Sequence, residues 1–298
     1  MTNDAGDGRQ PPIFVLGITG RSGTNYLRDL IAVHPQCVTA KAPIWEDFLL
    51  DQVKPLLEYA ERLQGKWASW GDGAGSDLLP VMGEALTAYL SPDSGRHLVT
   101  KTPSVRNLDR FFDVFPSARL VIIVRDPRSV VESAVKSFDA DYEGWARDWA
   151  RGAARILEFR RRSWGDDRVH HLVRYEDVIE DMRGTLTALF TTIGLDVAVY
   201  DFAEAENLPV RGSSQLASDG DMHWQPVTRS SDFDPLRRWE HWPTGRLQRV
   251  EWIAGPAMEA LGYERIAEQP NGFVQRVRDG ALLARLARRQ ALRRARRH

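Results

Sequence analysis

The sequence predicts an α/β domain with a central, mainly parallel sheet flanked by helices, and three observations predict it. Short β-branched runs at Pro12–Leu16, His97–Thr100 and Arg119–Val124, with a weaker one at Arg168–Arg174, are each followed by a helical pattern. Repeated strand-then-helix order is the signature of a parallel sheet. The first run leads into a glycine-bearing turn and a helix start, Gly17 to Leu27. The composition is that of an ordinary globular enzyme, with 43% apolar and 27% charged positions in 298 residues, which excludes fibrous and wholly disordered classes. At that length one large domain with a small appendage is expected.

In chain order, residues 1–10 are polar and read as a flexible N-terminus without the basic and apolar regions of a secretory signal. The domain is expected over residues 11–268. Thr24–Val33 carries Tyr26, Leu27, Leu30, Ile31 and Val33 at helical spacing. A long helix is expected from Pro43 to about Gln64, then a glycine-rich loop at Trp70–Asp77, and further helices at Glu143–Ser163, Asp177–Ile193 and Gly245–Leu261. Asn207–Pro243 reads as a long irregular segment, and loops of that length are usually functional or disordered. The longest apolar runs, such as Leu120–Val124, are far short of the roughly 20 residues of a membrane span. A single cysteine, Cys37, suits a reducing compartment, so a cytoplasmic location is expected.

Charge is uneven. The formal net charge is −1, yet from Asn271 to His298 there are nine arginines and one acid, Asp279. A mildly acidic body therefore carries a basic helical tail, 269–298. A frayed terminal helix is the first reading of that tail, and contact with anionic lipid or another polyanion the second.

The turn Gly17-Ile-Thr-Gly20-Arg21-Ser22-Gly23-Thr24-Asn25 follows a strand and opens a helix. Glycines let backbone N–H groups approach an anion, and the helix N-terminus adds a positive dipole. The nucleotide-binding Walker template requires Gly at position 22 and Lys at 23 when started from Gly17; the chain has Ser22 and Gly23, with a cation earlier, at Arg21. A metal-dependent nucleotide kinase is thereby disfavoured. Strand–Gly-x-x-x-Arg21-Ser-Gly-Thr24, followed by a helix ending in His34-Pro35, resembles the 5′-phosphosulfate loop of sulfotransferases that use 3′-phosphoadenosine 5′-phosphosulfate (PAPS). The Arg-Ser-Gly-Thr form is that of bacterial, Golgi-type and tyrosylprotein members.

A second motif strengthens the resemblance. Leu120–Val124 is followed by Arg125-Asp126-Pro127 and a helix bearing Ser133, similar to the family's 3′-phosphate element, in which that Arg and Ser hold the 3′-phosphate. Arg174-Tyr175-Glu176-Asp177 resembles the element whose Tyr lies near the adenine, and Arg211-Gly-Ser213 and Leu236-Arg-Arg238-Trp239 resemble more loosely the segments that close over the nucleotide. The resemblance implies a P-loop-like three-layer fold. It also implies PAPS as co-substrate, released as adenosine 3′,5′-bisphosphate and held by Gly20, Arg21, Ser22, Gly23, Thr24, Asn25, Arg125, Ser133, Tyr175, Ser213 and Arg238.

The chemistry is expected at the carboxyl ends of the strands, where open α/β sheets bind ligands. Arg21, Lys101 and Arg125 follow or end three of the strand runs and would form an anion pocket. Lys101-Thr-Pro103 resembles the family's lysine near the transferred group, with Pro103 where cytosolic members carry a catalytic His. The resemblance then implies a glutamate base soon after the first helix, with Glu46 and Asp47 as candidates. On a helix over Trp45–Leu63, Glu46 falls on the apolar face between Val53 and Leu57, and Asp47 on the opposite face. That assigns catalysis to Glu46, Lys101 and Arg21, in direct in-line sulfuryl transfer to an acceptor hydroxyl, with no metal-ligand spacing among His, Cys and Asp. The acceptor is not readable; Trp67, Trp70 and Trp224, within Trp67–Asp77 and Asn207–Pro243, are its weak candidates. The alternative class is a nucleotide-binding scaffold that lacks turnover.

Overall fold

Strand β1 (Ile13–Gly17) is buried along its whole length, and its side chains alternate between two cores as the pleat requires. The computed structural model describes residues 9–71, 73, 75–93, 95–165, 168–208, 210–211, 226–227 and 235–295. The chain continues from β1 through α1 (Thr24–Ala32), β2 (Cys37–Thr39), α2 (Lys54–Trp67), α3 (Leu78–Leu90), β3 (His97–Thr102) and α4 (Phe111–Val114). It then forms β4 (Arg119–Val124), α5 (Pro127–Phe138), α6 (Tyr142–Arg161), β5 (His170–Arg174), α7 (Tyr175–Glu180) and α8 (Met182–Ile193). The last elements are α9 (Phe202–Glu206), β6 (Val210–Arg211), β7 (Pro226–Val227), α10 (Thr244–Ala260) and α11 (Gly272–Ala295).

The first five strands form one parallel sheet in the order β2-β3-β1-β4-β5, as expected, and β6 pairs antiparallel with β7. Ile13 and Val15 of β1, with Val121 and Ile123 of β4, pack against α1 and α8 through Leu27, Leu30, Leu189 and Phe190. Phe14 and Leu16, with Leu120 and Ile122, pack against α4, α6 and α10 through Phe111, Trp149 and Met258. Helices therefore cover both faces, the arrangement that keeps parallel strands fully buried. Register aligns Leu16 with Thr102 and Ile122, and Val124 with Arg174. The carboxyl ends of β1, β3, β4 and β5 thus share one edge, and β1 lies where the strand order reverses, the usual ligand crevice.

Three expectations change. No helix runs from Pro43: residues 44–53 are irregular and are tied to β3 at 46–48, with Asp47 N–H donating to the Lys101 carbonyl at 3.2 Å and Phe48 N–H to Thr102 Oγ1 at 3.0 Å. The helix begins at Lys54, with Pro55 in its first turn, where a missing N–H breaks no helical bond. The wheel that put Glu46 beside Val53 and Leu57 therefore does not exist. The Asp177–Ile193 helix is two helices, α7 and α8, separated at Asp181, whose carboxylate caps α8 by accepting from Gly184 N–H at 2.9 Å. Lys101 lies inside β3, which extends to Thr102, rather than beyond its end. No helix among the described residues is long and apolar enough to cross a membrane.

The first turns of α11 are tied to the body. Arg249 of α10, completely buried, donates to Asp279 Oδ1 at 2.6 Å, Gln275 Oε1 at 3.0 Å and Glu143 Oε2 at 2.9 Å. Trp252 Nε1 donates to the other Asp279 oxygen at 3.0 Å.

Candidate functional site

The loop between β1 and α1 is shaped by steric exclusion. Arg21 has φ 67° and Gly23 φ 99°, and a methyl group on Gly23 would lie 2.4 Å from the Tyr175 ring. A Cβ at Gly17 would lie 2.5 Å from Ser22 Oγ and 2.6 Å from Thr24 Cγ2. Ser22 is buried, its hydroxyl donating to the Thr19 carbonyl at 2.7 Å. Its side chain therefore closes the turn rather than facing outward, while Gly20, Gly23, Thr24 and Asn25 line a cleft. The first N–H groups of α1, which have no intrahelical acceptor, stand at that cleft.

The cleft holds about 850 Å³ at the carboxyl edge of the sheet, near the top of the roughly 300–1,000 Å³ range of small-molecule sites. Arg21, Arg125 and Arg238 line it together. Arg21 Nε donates to Ser133 Oγ at 2.9 Å, and Arg125 donates to the Arg21 carbonyl at 3.0 Å and to the Pro235 carbonyl at 2.6 Å. The Arg125 guanidinium also lies 4.4 Å from the Tyr175 ring centroid. Burial, reinforced by the charges of Arg125 and Arg238, lowers the Arg21 pKa to about 10. Such mutual repulsion is what an anion would relieve.

Arg125 is braced from behind. Trp149 Nε1 donates to its carbonyl at 2.8 Å. Asp126 caps α5 and is gripped by Arg128, which also donates to Glu251 at 2.8 Å. The Glu176 carboxylate accepts from Asp126 N–H at 2.9 Å and from the Tyr263 hydroxyl at 3.0 Å. Arg238 arrives by a separate route. Ser129 Oγ donates to the Leu236 carbonyl at 2.7 Å, Trp242 Nε1 donates to Glu132 at 2.6 Å, and Arg128 lies 4.3 Å from the Trp239 ring centroid. Side chains of α5 thus hold 236–242 over the cleft.

Glu46 does line the cleft, on an irregular segment rather than a helix, and Lys101 Nζ donates to its Oε1 at 2.6 Å. Burial lowers the Lys101 pKa, and the pairing with Glu46 raises it in part. Asp47 is the more desolvated acid, reversing the expected exposure. Its carboxylate turns inward to accept from Leu49 N–H and Thr100 Oγ1, both at 2.9 Å, and burial raises its pKa against those bonds. Glu46 and Asp47 therefore point to different places: one into the cleft, the other into the body.

The sequence reading brought together Gly20, Arg21, Gly23, Thr24, Asn25, Glu46, Lys101, Arg125, Ser133, Tyr175 and Arg238, all of which line the cleft. Ser213 and Trp224 lie outside the described residues. Trp67 and Trp70 stack on each other at 6.5 Å instead of lining the cleft, as does none of the described residues in Trp67–Asp77. Besides Tyr26 and Tyr175, the aromatic lining comes from Trp45, Phe48, Phe138 and Trp145, which the sequence did not single out for the site. Arg28 was also missed; it lies one turn after Thr24 on the cleft face of α1, a periodicity the sequence does carry.

The chain is similar to known sulfotransferases in sequence and in fold. The chain is 24% identical over 195 residues to carbohydrate sulfotransferase 3 of Mus musculus, covering 56% of this chain and 39% of that protein. It is 23% identical over 282 residues to the protein-tyrosine sulfotransferase of Drosophila melanogaster, covering 88% of this chain and 54% of that protein. The chain thus spans only about half, or less, of the curated relatives it matches. Among solved structures, the sulfotransferase domain from the curacin biosynthetic pathway superposes with a TM-score of 0.51 at 20% identity, covering 87% of this chain and 100% of that one, and so shares the fold. The model described as Sulfotransferase family matches residues 11–199, more than half of the sequence, and the chain belongs to that family.

Proposed function

We propose that the protein transfers the sulfuryl group of PAPS to an acceptor hydroxyl. The observation that carries the reading is the joining, in one cleft, of an arginine cluster at a helix N-terminus with the Glu46–Lys101 pair. Arg21, Arg125 and Arg238 crowd like charges into a partly desolvated site, and two buried guanidinium nitrogens there, Arg28 Nε and Arg125 Nε, have no hydrogen-bond partner among the described residues. That donor set fits a ligand with several anionic groups. Gly20, Gly23, Thr24 and Asn25 would hold the 5′-phosphosulfate. Arg125 and Ser133 would hold the 3′-phosphate, and Tyr175 the base. Ser22 would contribute backbone, not hydroxyl.

In the reaction Glu46 accepts the acceptor's hydroxyl proton. The acceptor oxygen bonds to sulfur as the bond from sulfur to the bridging phosphate oxygen breaks, and that oxygen keeps the electron pair. Arg21 and Lys101 stabilise the charge that gathers on the leaving phosphate, the electrostatic contribution that dominates group transfers of this kind. Lys101 is held by Glu46, so proton uptake by Glu46 frees the ammonium to follow the leaving oxygen.

The test is nucleotide choice. Adenosine 3′,5′-bisphosphate should raise Tm well above the effect of AMP, and Arg125→Ala should weaken the bisphosphate by about one to two decades in Kd, the value of ~1.5–3 kcal/mol for a charge-assisted bond. Equal stabilisation by AMP and the bisphosphate, with no sulfate transferred from labelled PAPS, overturns the reading.

A further inference from the structure

We infer that the acceptor is a neutral, flat, apolar phenol rather than a sugar or an acidic peptide, an inference that rests on the function proposed above. Beside the arginine cluster the cleft is lined by Pro43, Ile44, Trp45 and Phe48 from the segment between β2 and α2, and by Phe138 of α5 and Trp145 of α6. Phe138 and Trp145 stack at 6.0 Å with 16° between their planes, forming a flat wall beneath Arg21, whose guanidinium lies 5.6 Å from the Phe138 centroid. In the segment between β2 and α2, Trp45 is 62% exposed and Phe48 45% exposed. Large aromatics standing open beside a base mark a binding surface.

The polar inventory points the same way. Among the described lining residues, the polar groups outside the nucleotide-facing set are few: Glu46 and Lys101, bonded to each other, Arg28, ion-paired with Asp29, the Tyr26 hydroxyl, beside Met182 Sδ, and the indole N–H groups of Trp45 and Trp145. A sugar would bring several hydroxyl groups to walls that, among the described residues, are mostly apolar, and each unmatched polar group buried costs about 1–3 kcal/mol. An acidic peptide would bring like charge to Glu46, while the cluster at Arg21, Arg125 and Arg238 is committed to the nucleotide. A phenol presents one hydroxyl to Glu46 and a ring to the walls. Its proton, near pKa 10 as in tyrosine, is also far easier for a carboxylate to remove than that of an aliphatic alcohol.

Calorimetric titration of the full chain tests this, first with adenosine 3′,5′-bisphosphate, then with 2-naphthol, lactose and an acidic tyrosine-containing peptide, each with and without the nucleotide. 2-Naphthol should bind, and lactose and the peptide should not. Trp45→Ala and Phe48→Ala alter exposed side chains, so Tm should hold; each should weaken 2-naphthol by roughly tenfold and leave the bisphosphate affinity unchanged. The inference is overturned if 2-naphthol binds neither form, if lactose or the peptide binds more tightly, or if both variants bind 2-naphthol like the parent. Failure of the bisphosphate to bind would instead overturn the nucleotide reading, while 2-naphthol binding that Trp45→Ala weakens would still support the apolar site.

Discussion

Glu46 and Asp47 are neighbours with opposite environments, and the difference separates chemistry from stability. Glu46→Gln removes the proton acceptor at the cleft while keeping the side chain's size and an oxygen for Lys101 to bond, so turnover of the folded enzyme should fall by about 10²–10⁴, with bisphosphate binding retained and a lower Tm, because buried Lys101 loses its carboxylate partner. Asp47→Asn keeps one oxygen for Leu49 N–H but replaces the oxygen that accepts from Thr100 Oγ1 with an NH₂ group. The Thr100 hydroxyl can turn to accept from that amide, so Asp47→Asn should cost little Tm, whereas Asp47→Ala removes both acceptors and should lower Tm by the equivalent of about 1–3 kcal/mol. Steady-state kinetics beside thermal melts reads both; a Glu46→Gln enzyme with normal turnover removes Glu46 from the base role. The sequence pointed to Glu46 through a helix that is not there. Residue type and proximity to the first helix were legible, but the bonds that tie Asp47 and Phe48 to β3 join positions more than fifty residues apart in sequence, and no local pattern announces them. His34 offers a pH test at the same scale. It is completely buried, its Nδ1 accepts from Gln36 N–H at 3.2 Å, and its Nε2 is therefore the donor to the Asp196 carbonyl at 3.0 Å. Burial lowers its pKa from 6.5. Below pH 6.5 the unfolded chain takes up the proton first, so His34 withdraws stability as pH falls from 6.5 through the folded-state value. Its ring C–H resonance should titrate below pH 6.5; a midpoint at or above that value refutes the assignment.

At the scale of elements, the strand–loop–helix unit from β1 to α1 was the most legible part of the chain. Glycine spacing and apolar periodicity are local properties, and the structure agrees with both. The steric reason for one glycine was not legible, because it comes from Tyr175, brought in by β5 pairing with β4. Gly23→Ala must place a side chain at φ 99° and 2.4 Å from that ring. The left-handed backbone alone costs about 1–2 kcal/mol, and displacing Tyr175 adds to it. The variant should melt lower and bind the bisphosphate more weakly, because Tyr175 also carries Arg125 on its face; unchanged affinity would mean that the loop tolerates a shift of Tyr175. The edge strand β2 escaped the sequence reading for a different reason. Three residues, Cys37–Thr39, are too few to display a period of two. The split between α7 and α8 could have been read, since Asp181 is a good helix cap.

At the scale of the molecule, the cleft exists because distant parts of the chain converge, and convergence is what one sequence conveys least. Arg238 reaches Arg21 and Arg125 only because Ser129 and Glu132 of α5 grip the segment after Pro235. The basic tail was legible as a charge asymmetry, but its one acid, Asp279, proves to be the anchor, compensating the buried Arg249 and holding Trp252. Removing 271–298 should therefore leave Arg249 with Glu143 as its remaining carboxylate partner. Loss of a partner from a buried ion pair is worth about 3–5 kcal/mol, so Tm should drop by on the order of 5–10 °C. Removing 285–298 keeps Gln275, Arg278 and Asp279 and should leave Tm close to that of the full chain. The anchors sit on α6 and α10, whereas the cleft opens at the carboxyl edge of the sheet, so both truncated forms should bind adenosine 3′,5′-bisphosphate with near-normal affinity at temperatures where they are folded. Melting curves and titrations on the two truncations together decide the point. If the shorter deletion destabilises as much as the longer one, the anchor is not Asp279. If the longer one loses the nucleotide while still folded, the tail acts on the cleft itself.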